Sequence, residues 1–190
     1  MTIGVLALQG AFIEHIGILQ NLGAATREIR LPEDLEGIDG LIIPGGESTT
    51  ISKLMQDYSL ITPIKKMAKS GLPVWGTCAG LILLAKKIDN QIVTSLDLMD
   101  IEVTRNAFGR QKESFSTGLS SHAIGDKQYE AVFIRAPLIS DTGKKVEVLA
   151  KLEDGTIVAA RENNLLVTSF HPELTLDHRW HQYFLSMINK

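Results

Sequence analysis

A chain of 190 residues, 44% of them hydrophobic, can bury one sizeable core and is short for two, so a single domain over residues 1–190 is expected. A formal net charge of −3 and a pI near 5.9 leave no basic stripe or acidic tail, which argues against nucleic acid or an anionic membrane as partner. One cysteine excludes an internal disulfide and a zinc site of paired cysteines, as suits a reducing cytoplasm, and no run reaches the roughly 20 apolar residues of a spanning helix.

The opening "MTIGVLALQGAF" is apolar but has no positive n-region and is broken by Gln9, so it is expected to be a strand rather than a leader. Strand-like "IGVLAL" (3–8) is followed by helix-like "EHIGILQNL" (14–22) and then by "ATREI" (25–29). The alternation continues through "DGLIIPGG" (39–46), "STTISKLMQDY" (48–58), "ITPIKKMAK" (61–69) and "PVWG" (73–76). Unbroken apolar strands alternating with helices imply βαβ units and a parallel sheet covered on both faces. In such sheets, sites form at the carboxyl ends of the strands.

From about Glu102 the pattern changes to alternating runs such as "AVFIRAP" (131–137) and "VEVLAKLEDGTIVAAR" (146–161), where Asp154-Gly155 is a hairpin signal. "NLLVTSF" (164–170) reads as a strand returning to the centre, and Trp180, Phe184, Met187 and Ile188 give the last helix an apolar face. No repeat, low-complexity tract or linker separates these parts. The expected fold is therefore α/β in three layers, a mostly parallel central sheet flanked by helices, with antiparallel strands extending the same sheet.

"PVWGTCAGLILLAKK" (73–87) places Cys78 between two glycines where a strand meets a helix. This is the pattern of a nucleophile elbow, whose tight turn exposes the nucleophile and whose glycines allow close packing. The helix N-terminus favours the thiolate, the reactive form. A thiolate needs an acid–base partner, and His171 in "SFHPEL" follows a predicted strand at its carboxyl end. Pro172 biases His171 towards extended backbone, so Glu173, two residues on, projects to the same side and can orient the imidazole. Cys78, His171 and Glu173 are then nucleophile, acid–base and orienter.

"IIPGGESTT" (42–50) presents backbone amides between a strand and a helix, with Ser48 or Glu47 as helix cap. It lacks the ending of a P-loop and the spacing of a dinucleotide fingerprint, which argues against nucleotide binding, and the cap reading leaves room for the Gly46 amide to act as an oxyanion donor. His178 and His181 read as a solvated helix face without a third metal ligand. His15 and His122 read as surface residues, His15 lying close enough to the first strand end to face the site or a partner.

"PGGES", "GTCAG" and "SFHPEL", in this order on this pattern, resemble the class I (triad) glutamine amidotransferases, whose fold is flavodoxin-like, and the match spans essentially the whole chain. More narrowly, "LALQGAFIEH", "PGGESTT", "WGTCAGLILLAK", "RNAFGRQKESF" and "FIRAP" are similar to the glutaminase subunits of pyridoxal 5′-phosphate synthase, the vitamin B6 pathway enzyme. The resemblance implies a Cys78–His171–Glu173 triad and an oxyanion hole from the amides of Gly46 and Ala79. It also implies glutamine held at Gly46, Glu47, Ser48, Arg105, Ile134 and Arg135, and contact with a partner through Gln9 and Gly10. The implied partner is a (β/α)8-barrel synthase subunit, with no cofactor or metal in this chain. The alternative is the glutaminase subunit of another amidotransferase such as imidazole glycerol phosphate synthase, with the same glutamine chemistry.

Overall fold

The computed structural model describes residues 1–89, 93–105 and 114–188. The "FGRQ" motif (108–111) lies outside the described residues. The first half of the chain alternates as its apolar runs demand: β1 (Thr2–Leu6), α1 (Phe12–Asn21), β2 (Ala25–Ile29), β3 (Gly40–Ile43), α2 (Ser48–Asp57), α3 (Ile61–Lys69), β4 (Val74–Thr77) and α4 (Ala79–Leu84). Then follow β5 (Ala85–Ile88), β6 (Met99–Thr104), β7 (Ser114–Leu119), β8 (Tyr129–Ile134), β9 (Leu138–Thr142), β10 (Glu147–Lys151), β11 (Ile157–Glu162), β12 (Leu165–Thr168) and α5 (Arg179–Ile188).

Among the described residues, ten strands form one sheet in the order β2-β1-β3-β4-β12-β11-β9-β6-β5, with β10 beside β11. The pairs from β2 through β12 are all parallel, and β11 turns the sheet antiparallel at β12. The returning strand is thus central, wedged between β4 and β11. The Asp154-Gly155 signal joins β10 to β11 as an antiparallel pair, with Gly155 at a φ of 87°. The expectation that every antiparallel strand would extend this sheet fails for β7 and β8, which pair only with each other in a separate two-stranded sheet. Aromatic residues seat that ribbon on the main body: Phe133 packs on Phe170, and Tyr129 on Phe170 and Trp180.

The central strands are buried on both faces, and their side chains divide by the period of two. Leu41, Ile43, Val74 and Val167 join a core under α2, α3 and α4. Ile42, Trp75 and Leu166 join the opposite core, which Leu19 of α1 and Trp180, Phe184 and Met187 of α5 complete. The apolar spacing read for the last helix therefore marks a real packing face.

Phe184 is fully buried against Trp75, with ring centroids 5.6 Å apart. Phe184→Ala is expected to lower the unfolding free energy by about 3–5 kcal/mol, because the void cannot collapse in a core packed from both sides. Urea unfolding followed by tryptophan fluorescence measures this.

Candidate active site

Four loops meet at the carboxyl ends of β1, β3, β4 and β12, beside the point where the strand order reverses. The loop after β4 is the tightest. Cys78 stands there with φ 48° and ψ −100°, outside the comfortable regions of an L-residue, and its N–H donates to the Thr168 carbonyl of β12 at 2.8 Å. The glycine two residues on is required: a Cβ on Gly80 would collide with the Ile43 carbonyl oxygen of β3. Cys78 is 7% exposed, with its Sγ 3.9 Å from the Ile134 carbonyl oxygen.

The loop after β12 brings the imidazole. The His171 N–H donates to the Val132 carbonyl at 2.8 Å, which ties the loop to β8. Pro172–Leu174 form a 3-10 turn, and through it Glu173 reaches back so that His171 Nδ1 donates to Glu173 Oε1 at 2.7 Å. The extended-chain route expected from the spacing is replaced by this turn. With Nδ1 committed to the carboxylate, Nε2 is left for proton exchange. Burial opposes a charge on His171, but its hydrogen bonds to Cys78 and Glu173 outweigh it, and the pKa is pushed up to about 10.

The loop after β3 supplies the opposite wall. Glu47 is the N-cap of α2 and its carboxylate accepts from the N–H groups of Thr49 and Thr50. Although partial burial works against it, bonding from those two threonines draws its pKa down to about 2. The side chain is thus occupied as a cap, and Arg105 Nη2 lies 3.8 Å from its Oε1. The Glu47 N–H donates to Gln9 Oε1 at 2.8 Å, and the Ala11 N–H donates to the Gly45 carbonyl at 3.0 Å. Gly10, at φ 102°, passes so near Gly45 that a Cβ would strike its carbonyl oxygen. Gln9 and Gly10, expected at a partner interface, pack against the loop after β3 from behind.

These loops enclose a cavity of about 430 Å³ lined by Gly46, Glu47, Ser48, Cys78, Ala79, Arg105, Ile134, Arg135 and His171, with Ile82 and Pro137 added. Every residue expected to hold glutamine or form the oxyanion hole lines it. Glu173 stands behind His171, and Gln9 and Gly10 lie outside the lining. Ile82 and Pro137 lie within the "WGTCAGLILLAK" and "FIRAP" motifs but are not singled out there as site residues. Among the described residues, no group of three or more His, Cys, Asp or Glu is placed to hold a metal ion.

Two histidines expected at the surface are fully buried: His15 on α1 and His181 on α5. The signal was present, since His15, Ile18 and Leu19 share the buried face of α1 at i, i+3 and i+4. Burial, reinforced by His181 and His171, holds the His15 pKa well below its ordinary value, and burial with His178 lowers His181 to about 3. His122 is exposed and pairs with Glu147 at 3.0 Å.

A mostly parallel sheet of this order, with a cysteine at a strained elbow and a His–Glu pair beside it, defines the glutamine amidotransferase class of α/β proteins. The chain belongs to the SNO glutamine amidotransferase family, whose model matches residues 5–190. It is 60% identical to a pyridoxal 5′-phosphate synthase subunit PdxT of Dehalococcoides mccartyi, over 98% of this chain and 97% of the relative. It is 57% identical to the protein of the same name from Herpetosiphon aurantiacus, over 98% of this chain and all (100%) of the relative. A solved crystal structure of a glutamine amidotransferase superposes with a TM-score of 0.93 at 46% identity, covering 99% of each chain.

The two kinds of histidine give opposite pH dependences. His171, raised above the roughly 6.5 of an unfolded histidine, contributes stability that is complete below about pH 6.5 and is lost as pH rises towards about 10. His15 and His181, lowered and neutral in the fold, bind protons only on unfolding as pH falls below about 6.5. Each then removes up to about 1.4 kcal/mol per pH unit. Urea midpoints between pH 4 and 6.5 are expected to fall with acid, less steeply in His181→Phe. The stability difference between wild type and His171→Gln is expected to shrink from pH 6 to pH 10.

Proposed function

We propose that Cys78, His171 and Glu173 perform the glutaminase chemistry of this amidotransferase, whose ammonia serves pyridoxal 5′-phosphate synthesis. The observation that carries this reading is the strained Cys78 elbow facing one cavity with His171, itself anchored on buried Glu173. The Cys78 thiolate attacks the side-chain amide carbon of glutamine. The developing oxyanion is met by the amides of Gly46 and Ala79, each such donor contributing about 3 kcal/mol. His171, protonated and held so by Glu173, gives its Nε2 proton to the departing nitrogen, so ammonia leaves and a γ-glutamyl thioester remains. The now neutral His171 takes a proton from water, the hydroxide attacks the thioester, and glutamate and the Cys78 thiolate are regenerated with His171 protonated.

Substrate placement follows from the lining. Gly46, Glu47 and Ser48 offer backbone along one wall, since the Glu47 side chain is taken up in capping α2. Ile134 and Arg135 form the facing wall, and Arg135 is held at a φ of 43°, a second strained backbone at the site. Arg105 and Arg135 supply positive charge for the glutamine carboxylate. The whole chain, residues 1–190, acts as one glutaminase domain in the cytoplasm.

Ammonia released into water near neutral pH becomes ammonium, which is not a nucleophile, so the product must pass directly to an acceptor site. The acceptor is a (β/α)8-barrel synthase subunit, bound in a large hetero-oligomer at the face where Gln9 and Gly10 meet the oxyanion loop. Engagement there sets the Gly45–Gly46 peptide, which carries the Gly46 N–H and whose carbonyl accepts from the Ala11 N–H. Glutamate release from glutamine is expected to rise about a hundredfold when the synthase subunit is added, the worth of one oxyanion donor. It is expected to vanish in Cys78→Ala. Activity surviving in Cys78→Ala would overturn the triad, and full activity of the chain alone would overturn the dependence on the partner.

A further inference from the structure

Behind the triad lies a chain of polar groups that the glutaminase steps leave unused. Glu173 has a fully buried side chain, and only its Oε1 is occupied, by His171. Glu173 Oε2 has no well-formed hydrogen bond among the described residues, although a buried carboxylate is costly unless both oxygens are met. The group that faces it is His15 Nε2 at 3.4 Å, a long contact, with Thr77 Oγ1 also 3.4 Å from the same nitrogen. The other ring nitrogen, His15 Nδ1, lies 2.9 Å from His181 Nε2. His15 is also wedged edge-on against Trp75, ring centroids 5.7 Å apart, so its ring cannot turn freely.

One proton occupies the short contact between the two imidazoles, and its owner decides what Glu173 meets. If His15 Nδ1 held it, His15 Nε2 would turn a lone pair towards the carboxylate. His181 Nδ1, which has no partner among the described residues, would then carry a buried, unsatisfied N–H. Orphaned buried donors are rare. If His181 Nε2 holds the proton, His15 Nδ1 accepts it and His15 Nε2 bears a hydrogen between Glu173 Oε2 and Thr77 Oγ1. His181 Nδ1 is then only a bare acceptor, the cheaper group to leave unmet. Both rings are neutral in this arrangement, as their burial requires.

We propose that His15 is a positioning residue of the triad: its Nε2–H donates to Glu173 Oε2, and His181 holds it in that tautomer through its own Nε2–H. The relay runs Cys78–His171–Glu173–His15–His181 and joins α1 and α5 to the reacting centre. The titratable groups facing His15 are Glu173 from the turn after β12, His171 beyond it, and His181 from α5, with His178 behind at a centroid distance of 6.3 Å from His181. By fixing the second carboxylate oxygen, His15 keeps the first aimed at His171 Nδ1. This role presupposes the triad assigned above.

The test has two arms. In the full-length wild-type chain, long-range ¹H–¹⁵N correlation at pH 7 reads each histidine's tautomer, and the His15 signals are assigned from the backbone and side-chain connectivities of the wild-type chain itself. A neutral Nε2–H tautomer is expected at His15, and an Nδ1–H tautomer or an imidazolium there overturns the proposal whether or not any variant folds. In the second arm, glutaminase kinetics with the synthase subunit present compare His15→Gln, which keeps a side-chain N–H within reach of Glu173, with His15→Leu, which has none. His15→Leu is expected to lower kcat about 10- to 100-fold with KM for glutamine unchanged, as loss of an orienting outer partner does for metal ligands, and His15→Gln to recover most of it. Equal losses in both variants, or none in a folded His15→Leu, overturn the positioning role. Loss of activity in Cys78→Ala alongside an unimpaired His15→Leu rejects His15 alone, whereas an active Cys78→Ala rejects the triad beneath it.

Discussion

The Cys78 peptide is held by β12. That single hydrogen bond, from Cys78 N–H to Thr168 O, fastens a strained residue at φ 48° to the neighbouring central strand, and the site is assembled around it. A strained backbone persists only where its surroundings over-determine it, and here they do. Gly80 lets α4 press against β3 on one side, Gly76 lets the helix fold back over β4, and fully buried Trp75 and Leu81 lock strand and helix from opposite faces. The same strand β12 that holds Cys78 ends three residues before His171, so Cys78 and His171 are referenced to one rigid element. This is why their relative placement does not depend on the looser edges of the sheet.

Electrostatics then sorts identical side chains into different tasks. His171, His15 and His181 are all buried, and burial alone would render all three neutral. His171 escapes because it bonds both a thiol and a carboxylate, while His15 and His181 face chiefly other imidazoles. The result is one charged histidine at the reacting centre and neutral ones behind it. A neutral ring can donate to Glu173 without competing for its proton, which a second imidazolium in the same interior could not do. The carboxylate Glu47 shows the converse: half exposed and bonded by helix amides, it is fixed as an anion that serves α2 rather than the chemistry.

The loops after β1 and β3 form a second unit. Gln9, Gly10 and Ala11 touch Gly45 and Glu47 through two hydrogen bonds and a glycine-to-carbonyl contact. The Gly45–Glu47 backbone, which approaches Cys78, is thereby linked to the segment after β1.

Much of this was legible in the chain alone. Period-two and period-3.6 patterns located the strands and helices, because burial on one or both faces imposes those periods wherever the chain lies. The glycines around Cys78 marked a strand-to-helix turn and the His-Pro-Glu after an apolar run marked a strand end, the two places whose side chains the fold brings to one cavity, since tight turns leave few residue choices. What lay beyond sequence were relations between distant segments: that β7 and β8 leave the main sheet, that Glu173 reaches His171 through a turn, that Ile82 and Pro137 line the cavity. The histidines mark the boundary most clearly. Their helical spacing placed His15 beside Ile18 and Leu19, but only the packing of α1 and α5 over the sheet sets His15 Nδ1 2.9 Å from His181 Nε2 and turns the opposite edge to Glu173. Residues 166 positions apart meet because helices on one face of a sheet share one core, and no local pattern encodes which of their side chains will touch.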